Sequence, residues 1–275
     1  MLLPLKGRRL YYDLTGPENG PVVCMTHSLM SDSGMWSEQM PPLLQAGYRV
    51  LRLDMRGHGG SDPGAGGDYT MQGIADDWAA ALEALGLPRV HYIGLSIGGQ
   101  SGQAFAIYHG DKLISTMLCA CAPSSGTVGD DTSVWNRAIN AVRKANSAEP
   151  LADEFMEHFL ADATKKNRPG RWKQIRDTVA LTTPAGMLGG AGAIMNYDFR
   201  AQLRSVKVPT LALRGAEDPD GTEKAMRSLA ELVPGARLEQ IPNARHFCNV
   251  DQPDAFNRIM MGWLDEQQGI IGRAA

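Results

Sequence analysis

The hydrophobic pattern of the chain falls into two regimes. In the first, short apolar runs alternate with amphipathic stretches. Arg8 to Leu14 alternates as a half-buried strand does, and Gly16-Pro17 closes it. Pro21 to Thr26 holds the unbroken run Val22-Val23-Cys24-Met25, the signature of a strand covered on both faces. Trp36 to Gln45 predicts a helix interrupted at Pro41-Pro42, Tyr48 to Leu53 a strand, and Asp54 to Gly60 a loop. Met71 to Leu85 puts Ile74, Trp78, Ala81, Leu82 and Leu85 on one helical side, with Gly86 placed to cap the end. Val90–Gly94 reads as a strand, Gly98–His109 as a helix and Leu113–Ala120 as a strand. Such alternation predicts an α/β fold with a mostly parallel central sheet and helices on both faces.

The second regime runs from about Ser124 to Leu203, with helical periodicity and no core strand. Alternation then resumes: strand Thr210–Leu213, helix Glu223–Leu232, strand Arg237–Ile241, helix Pro253–Glu266. The expected organisation is one core, residues 1–123 and 204–275, interrupted by a helical cap (lid) at 124–203. That insertion leaves the core at the carboxyl end of a strand, where open α/β sheets bind ligands.

Composition narrows the function classes. A net charge of -3 disfavours nucleic acid and anionic membrane as partners and favours a small molecule. No stretch approaches the roughly 20 apolar residues of a membrane span. The run Leu2-Leu3-Pro4-Leu5 is too short for a signal-peptide core, so a cytoplasmic location is expected. Whether the chain forms a homo-oligomer is left open. The cysteines Cys24, Cys119, Cys121 and Cys248 read as buried, reduced hydrophobes, with Cys119 and Cys121 expected on one face of a strand. No metal site and no cofactor is implied: ligand clusters, a G-x-G-x-x-G after the first strand and a Walker-type loop are all missing from the sequence.

The chemistry begins at Gly94-Leu95-Ser96-Ile97-Gly98-Gly99. G-x-S-x-G between a strand and a helix is a nucleophile elbow, a turn so tight that residues two away on either side must lack a Cβ. A serine capping the following helix is the plainer alternative. A serine hydroxyl needs a base to become nucleophilic at neutral pH. With this elbow the base follows the last strand, which selects His246 from the six histidines. His91 and His109 read as strand and helix-end residues, His58 as a structural hydrogen-bonding residue and His158 as part of a solvated face of the insertion. The acid should follow the preceding strand, where Glu217, Asp218 and Asp220 all stand. The backbone N–H of Ile97 and of Leu29, in the loop His27-Ser28-Leu29-Met30, are the expected oxyanion donors. The Ser28 side chain is a candidate substrate contact.

With these residues in place the chain resembles the α/β-hydrolase superfamily over nearly its whole length, and within it the 3-oxoadipate enol-lactonases. The stretches that carry the likeness are His27-Ser28-Leu29, Asp54-Met55-Arg56-Gly57-His58-Gly59-Gly60-Ser61, the elbow, Asp198-Phe199-Arg200, and His246-Phe247-Cys248-Asn249-Val250 with Gln252-Pro253. The resemblance implies an α/β-hydrolase fold and selects Asp218, three residues after Gly215, as the triad acid. It implies hydrolysis of a small carboxylic ester or lactone through an acyl-enzyme. An enol-lactone bearing a carboxylate would call for a cation, and the insertion offers Arg137, Arg143, Lys144, Lys165, Lys166, Arg168, Arg171, Lys173 and Arg176. Trp135, Phe155, Phe159 and Trp172 are candidates for an apolar pocket roof. General carboxylesterase activity, C–C bond hydrolysis and perhydrolysis use the same triad and stay open. A carboxylate would have to replace Ser96 for haloalkane dehalogenation. An intact triad disfavours a ligand receptor built on a hydrolase scaffold.

Overall fold

The computed structural model describes residues 1–64, 69–125 and 133–274. Its sheet comprises β1 (Leu2–Leu5), β2 (Arg8–Thr15), β3 (Val22–Thr26), β4 (Arg49–Leu53), β5 (Val90–Leu95), β6 (Leu113–Cys119), β7 (Thr210–Gly215) and β8 (Arg237–Ile241). Their spatial order is β1-β2-β4-β3-β5-β6-β7-β8. β1 and β2 run antiparallel, and every pairing from β4 to β8 is parallel. The helices are α1 (Met40–Gln45), α2 (Met71–Ala84), α3 (Ile97–Tyr108), α4 (Ser133–Ala145), α5 (Ala152–Phe159), α6 (Asp162–Asn167), α7 (Pro169–Leu181), α8 (Pro184–Met195), α9 (Glu223–Leu232), α10 (Cys248–Asp251) and α11 (Pro253–Ala274). The central strands β3, β5 and β7 are buried at every position, as their continuous apolar runs require.

Four local expectations are corrected. The first strand is β1, a Pro-containing edge strand that zips onto β2 from Leu2↔Tyr11 to Leu5↔Arg8. Proline is compatible with an edge because no ladder bond there needs its N–H. The Trp36–Gln45 helix begins only at Met40, with the prolines in its first turn, where a missing N–H costs nothing. The strand ending at Ala120 stops at Cys119, because Ala120 takes φ 51°, so Cys119 and Cys121 do not share a strand face. The last helix runs on from Glu266 to Ala274.

Helices α4 to α8 lie between β6 and β7. The two ends of this inserted segment close on each other: Ser124 bridges Asp198, Ser125 N–H donates to Tyr197 O at 3.0 Å, and Phe199 N–H to Pro123 O at 3.0 Å. Among the described residues no single helix is long and apolar enough to cross a membrane. The most apolar helix, α8, lies on the core instead. Its Gly186 meets the Gly57 backbone so closely that a Cβ would stand 2.2 Å from Gly57 O, and Thr183 Oγ1 donates to that same carbonyl at 2.7 Å.

Candidate active site

From Val90 to Ala106 every residue is buried except Ser96. Its backbone is forced to φ 58°, ψ -119°, a region that costs a non-glycine residue on the order of 1–3 kcal/mol and clusters at functional sites. The neighbouring glycines show what enforces the turn. A Cβ on Gly94 would lie 2.3 Å from Gly98 O, and one on Gly98 would lie 2.6 Å from Thr26 O. The Ser96 side chain makes no capping bond, which removes the capping alternative, and its N–H is anchored to Cys119 O at 2.9 Å.

The acid and base loops are laid against this point through the backbone. Gly221, after β7, packs on Ala120, next to Cys119, where a Cβ would come within 2.8 Å of the Ala120 Cα. Gly221 N–H and Asp220 N–H both donate to Asp218 Oδ1 at 2.9 Å, which orients that carboxylate. Gly215 lets the loop after β8 approach, since a Cβ there would stand 2.1 Å from Arg245 O. Glu217 N–H then donates to Ala244 O at 2.9 Å, lacing the two loops together.

His246 Nδ1 lies 2.9 Å from Asp218 Oδ1 and 3.1 Å from Oδ2. Of the three carboxylates after β7, it is Asp218 that bonds the imidazole; Glu217 is exposed and Asp220 takes His158 at 3.1 Å. Burial pulls the His246 pKa down, but the charge and hydrogen bond of Asp218 outweigh it and hold the imidazole above its ordinary 6.5. Burial likewise pushes Asp218 up, and His246 with the two backbone donors brings it below the ordinary 3.8. The Nδ1–H therefore faces Asp218 and leaves Nε2 as the free basic atom. No hydrogen bond joins the Ser96 hydroxyl to the imidazole among the described residues.

Leu29 and Ile97 are both buried, and neither backbone N–H bonds an acceptor among the described residues. Two backbone N–H groups without an acceptor are what the oxyanion proposed below would need. The Leu29 loop is pinned from the Asp54–Ser61 stretch. His27 spans the gap, its Nδ1 2.7 Å from Ser28 O and its Nε2 accepting Met55 N–H at 2.8 Å. Asp54 accepts Ser33 N–H at 2.7 Å and Gly60 N–H at 2.9 Å. Helix α8 comes down on the same point, where a Cβ on Gly190 would meet Leu29 Cδ1 at 2.4 Å. Ser28 is buried, with its N–H on Met35 Sδ. His58 is wholly buried, held through Nδ1 by Arg56 O, and burial lowers its pKa to about 3.

The roof candidates divide. Phe159 lies with its ring 4.5 Å from the His246 ring, and Phe155 packs on both Phe159 and Phe247. Trp172 is buried under Lys165, and Trp135 packs half-buried against the core. Of the nine candidate cations of the insertion, five are engaged. Arg168 and Arg171 both grip Glu38, Lys165 pairs with Glu157, Lys173 with Asp177, and Arg176 with Glu149 and Asp153. Arg137, Arg143, Lys144 and Lys166 are exposed. Among the described residues no three His, Cys, Asp or Glu side chains gather as metal ligands.

Comparison with known proteins agrees with this geometry. The model of the alpha/beta hydrolase fold family matches residues 21–253. The chain is 30% identical to 3-oxoadipate enol-lactonase 1 of Acinetobacter baylyi, covering 98% of this chain and 97% of that one. It is 28% identical to a bifunctional esterase/perhydrolase of Acinetobacter calcoaceticus, over 94% of this chain and 96% of that one. The crystal structure of the enol-lactonase from Burkholderia xenovorans superposes with a TM-score of 0.90 at 30% identity, covering 96% of this chain and all of that one. A half-buried serine at a glycine-bounded turn, a histidine–carboxylate pair carried by loops packed beside it, and a family match across the sheet that holds both place this chain in the alpha/beta hydrolase fold family.

Proposed function

We propose that the protein hydrolyses a small carboxylic ester or lactone through an acyl-enzyme on Ser96. One observation carries the reading: the strained, partly accessible Ser96 is anchored to Cys119, next to Ala120, on which the Asp218 loop packs, and Asp218 bonds His246 from the neighbouring loop. Ser96 Oγ attacks the carbonyl carbon while His246 Nε2 takes its proton. The tetrahedral oxyanion accepts hydrogen bonds from the Leu29 and Ile97 N–H groups, each worth about 3 kcal/mol in such sites. Collapse expels the alcohol oxygen, which takes the proton back from His246. Water activated by the same imidazole then releases the acid and restores the serine. Asp218 holds the tautomer and stabilises the imidazolium without itself taking the proton. The inserted helices act as the cap, with Phe155 and Phe159 an apolar wall on the histidine side.

Likeness to enol-lactonases favours a 3-oxoadipate enol-lactone as substrate. A plain uncharged ester is favoured by a separate observation, namely that five of the nine insertion cations are spent on acids and the other four are exposed. Rates on the enol-lactone and on p-nitrophenyl butyrate decide between them. The reaction class is tested with a fluorophosphonate: wild type becomes covalently labelled and Ser96→Ala does not. A wild-type protein left unlabelled and inert on both substrates would overturn the reading.

A further inference from the structure

Asp251 closes α10, five residues after the base, and is 9% exposed. No basic side chain donates to its carboxylate among the described residues. It gathers hydrogen bonds from two separate parts of the chain instead. Ala161 N–H reaches both oxygens at 3.1 Å and the Thr164 hydroxyl reaches Oδ1, both from the α5–α6 junction of the insertion. Arg245 N–H reaches Oδ2 at 2.9 Å, one peptide before His246.

The residues on either side of the imidazole are fastened to the same junction. The Arg245 guanidinium donates to the last carbonyls of α5, Glu157 O at 2.7 Å and Leu160 O at 3.3 Å. Phe247 N–H donates to Phe159 O at 3.1 Å. Arg168 donates to Val250 O at 2.6 Å. Phe159 itself rests on the His246 ring. The base loop is thus held from two sides, by the acid loop through Glu217–Ala244 and by the insertion through Asp251.

We propose that Asp251 is a positioning residue, which sets the His246 imidazole against Asp218 by locking the base loop to the α5–α6 junction of the cap. This rests on the serine-hydrolase reading above. It follows that cap position and base position are one variable: a substrate that moves α5 moves the imidazole. The chemistry requires this precision, since about 1 Å of misplacement can cost on the order of a hundredfold in rate.

Two variants test it, with p-nitrophenyl acetate as substrate and fluorophosphonate titration counting competent sites. Asp251→Asn preserves the volume but turns one acceptor into a donor facing the Ala161 and Arg245 N–H groups. We expect kcat per titrated site to fall about tenfold with little change in KM. The acid limb of the rate profile should also move to lower pH, because an imidazole loosened from Asp218 loses what holds its pKa up. The charged groups that act on that imidazole are Asp218 and Asp220 from the acid loop; His158 of the insertion pairs with Asp220, and Cys248 on the base loop feels Asp218 and Asp251. Thr164→Val touches only the cap side and should shift both readouts the same way, by about threefold in kcat. A cooperatively folded variant with lowered Tm but wild-type kcat per site and an unmoved limb makes Asp251 merely structural and overturns the proposal. Should Asp251→Asn fail to fold, Thr164→Val decides alone. Failure of the underlying reading looks different, since wild type itself would then neither titrate nor turn over.

Discussion

The turn Gly94-Leu95-Ser96-Ile97-Gly98-Gly99 holds no charged side chain. The turn is held by the absence of side chains: Gly94 and Gly98 admit the backbones of β3, β5 and α3 to distances that a single methyl would prevent. Around His246 the opposite holds. Two buried carboxylates, Asp218 and Asp251, an arginine and a series of backbone N–H groups fix the loop, and they come from both the core and the insertion. The first region is made rigid by sterics and should ignore pH. The second is made rigid by polar bonds that include two carboxylates and an imidazole, which titrate, so it should answer to pH and to the cap.

The sharpest probe of this contrast is Asp218→Asn. Losing the carboxylate should cut kcat by about 10⁴-fold, through the wrong tautomer and an unstabilised imidazolium. Its residual activity should show an acid limb shifted to lower pH, since burial, which depresses the imidazole pKa, is then opposed only by the smaller pull of Asp220. Gly98→Ala probes the other region. Its methyl would sit 2.6 Å from Thr26 O and 2.9 Å from His27 O, both backbone atoms that cannot step aside. We expect about 2–3 kcal/mol of destabilisation in a urea melt and a large fall in kcat, with the pH limb unmoved. A moved limb in Gly98→Ala would break the comparison.

Next in size is the wild-type pH profile. The proposed mechanism needs neutral His246, so kcat/KM should fall about tenfold per pH unit below an apparent pKa lying above 6.5. The linkage to stability has the other sense. His246, raised on folding, contributes stability fully present below 6.5 and lost as pH rises through its folded value. Asp218, lowered on folding, contributes stability present above 3.8 and lost as pH falls through its folded value. The pair therefore stabilises the fold most between those two pH values, below the range in which the enzyme works. Melts of wild type and Asp218→Asn across pH would show this as a Tm difference that is largest there. The smallest effect is expected from Glu38→Gln. It releases Arg168 and Arg171 from a partly exposed acid, for about 1 kcal/mol and a Tm lower by roughly 2–4 °C. Because Glu38 and its two arginines are not among the atoms that crowd Gly94 and Gly98, labelling of Ser96 should be retained.

The same division explains what the sequence disclosed. The core strands were legible because burial on both faces leaves long apolar runs, as in Val22–Met25. The elbow was legible because its sterics demand glycine at fixed spacing. His246 follows from position after the last strand. Asp218 could not be told from Glu217 and Asp220 by residue type, since the distinction lies in the two N–H groups that aim its carboxylate. Leu2–Leu5 escaped notice because an edge strand holding a proline carries no strong pattern. Asp251 falls between His246–Val250 and Gln252-Pro253, which carry the family likeness, yet its partners Ala161 and Thr164 are 90 and 87 residues away, and no local spacing reports a contact of that kind. The insertion cations looked available because sequence shows a charge and not the acid that neutralises it across space.

The order of strands in the sheet has a consequence for synthesis of the chain. β5 brings the elbow early, whereas the acid and base arrive only with the loops after β7 and β8, the last two strands made. A polypeptide emerging from the ribosome carries its serine long before it owns a base, so unfinished copies would lack the groups the proposed reaction uses. A fragment stopped after β7, offered a fluorophosphonate, should stay unlabelled.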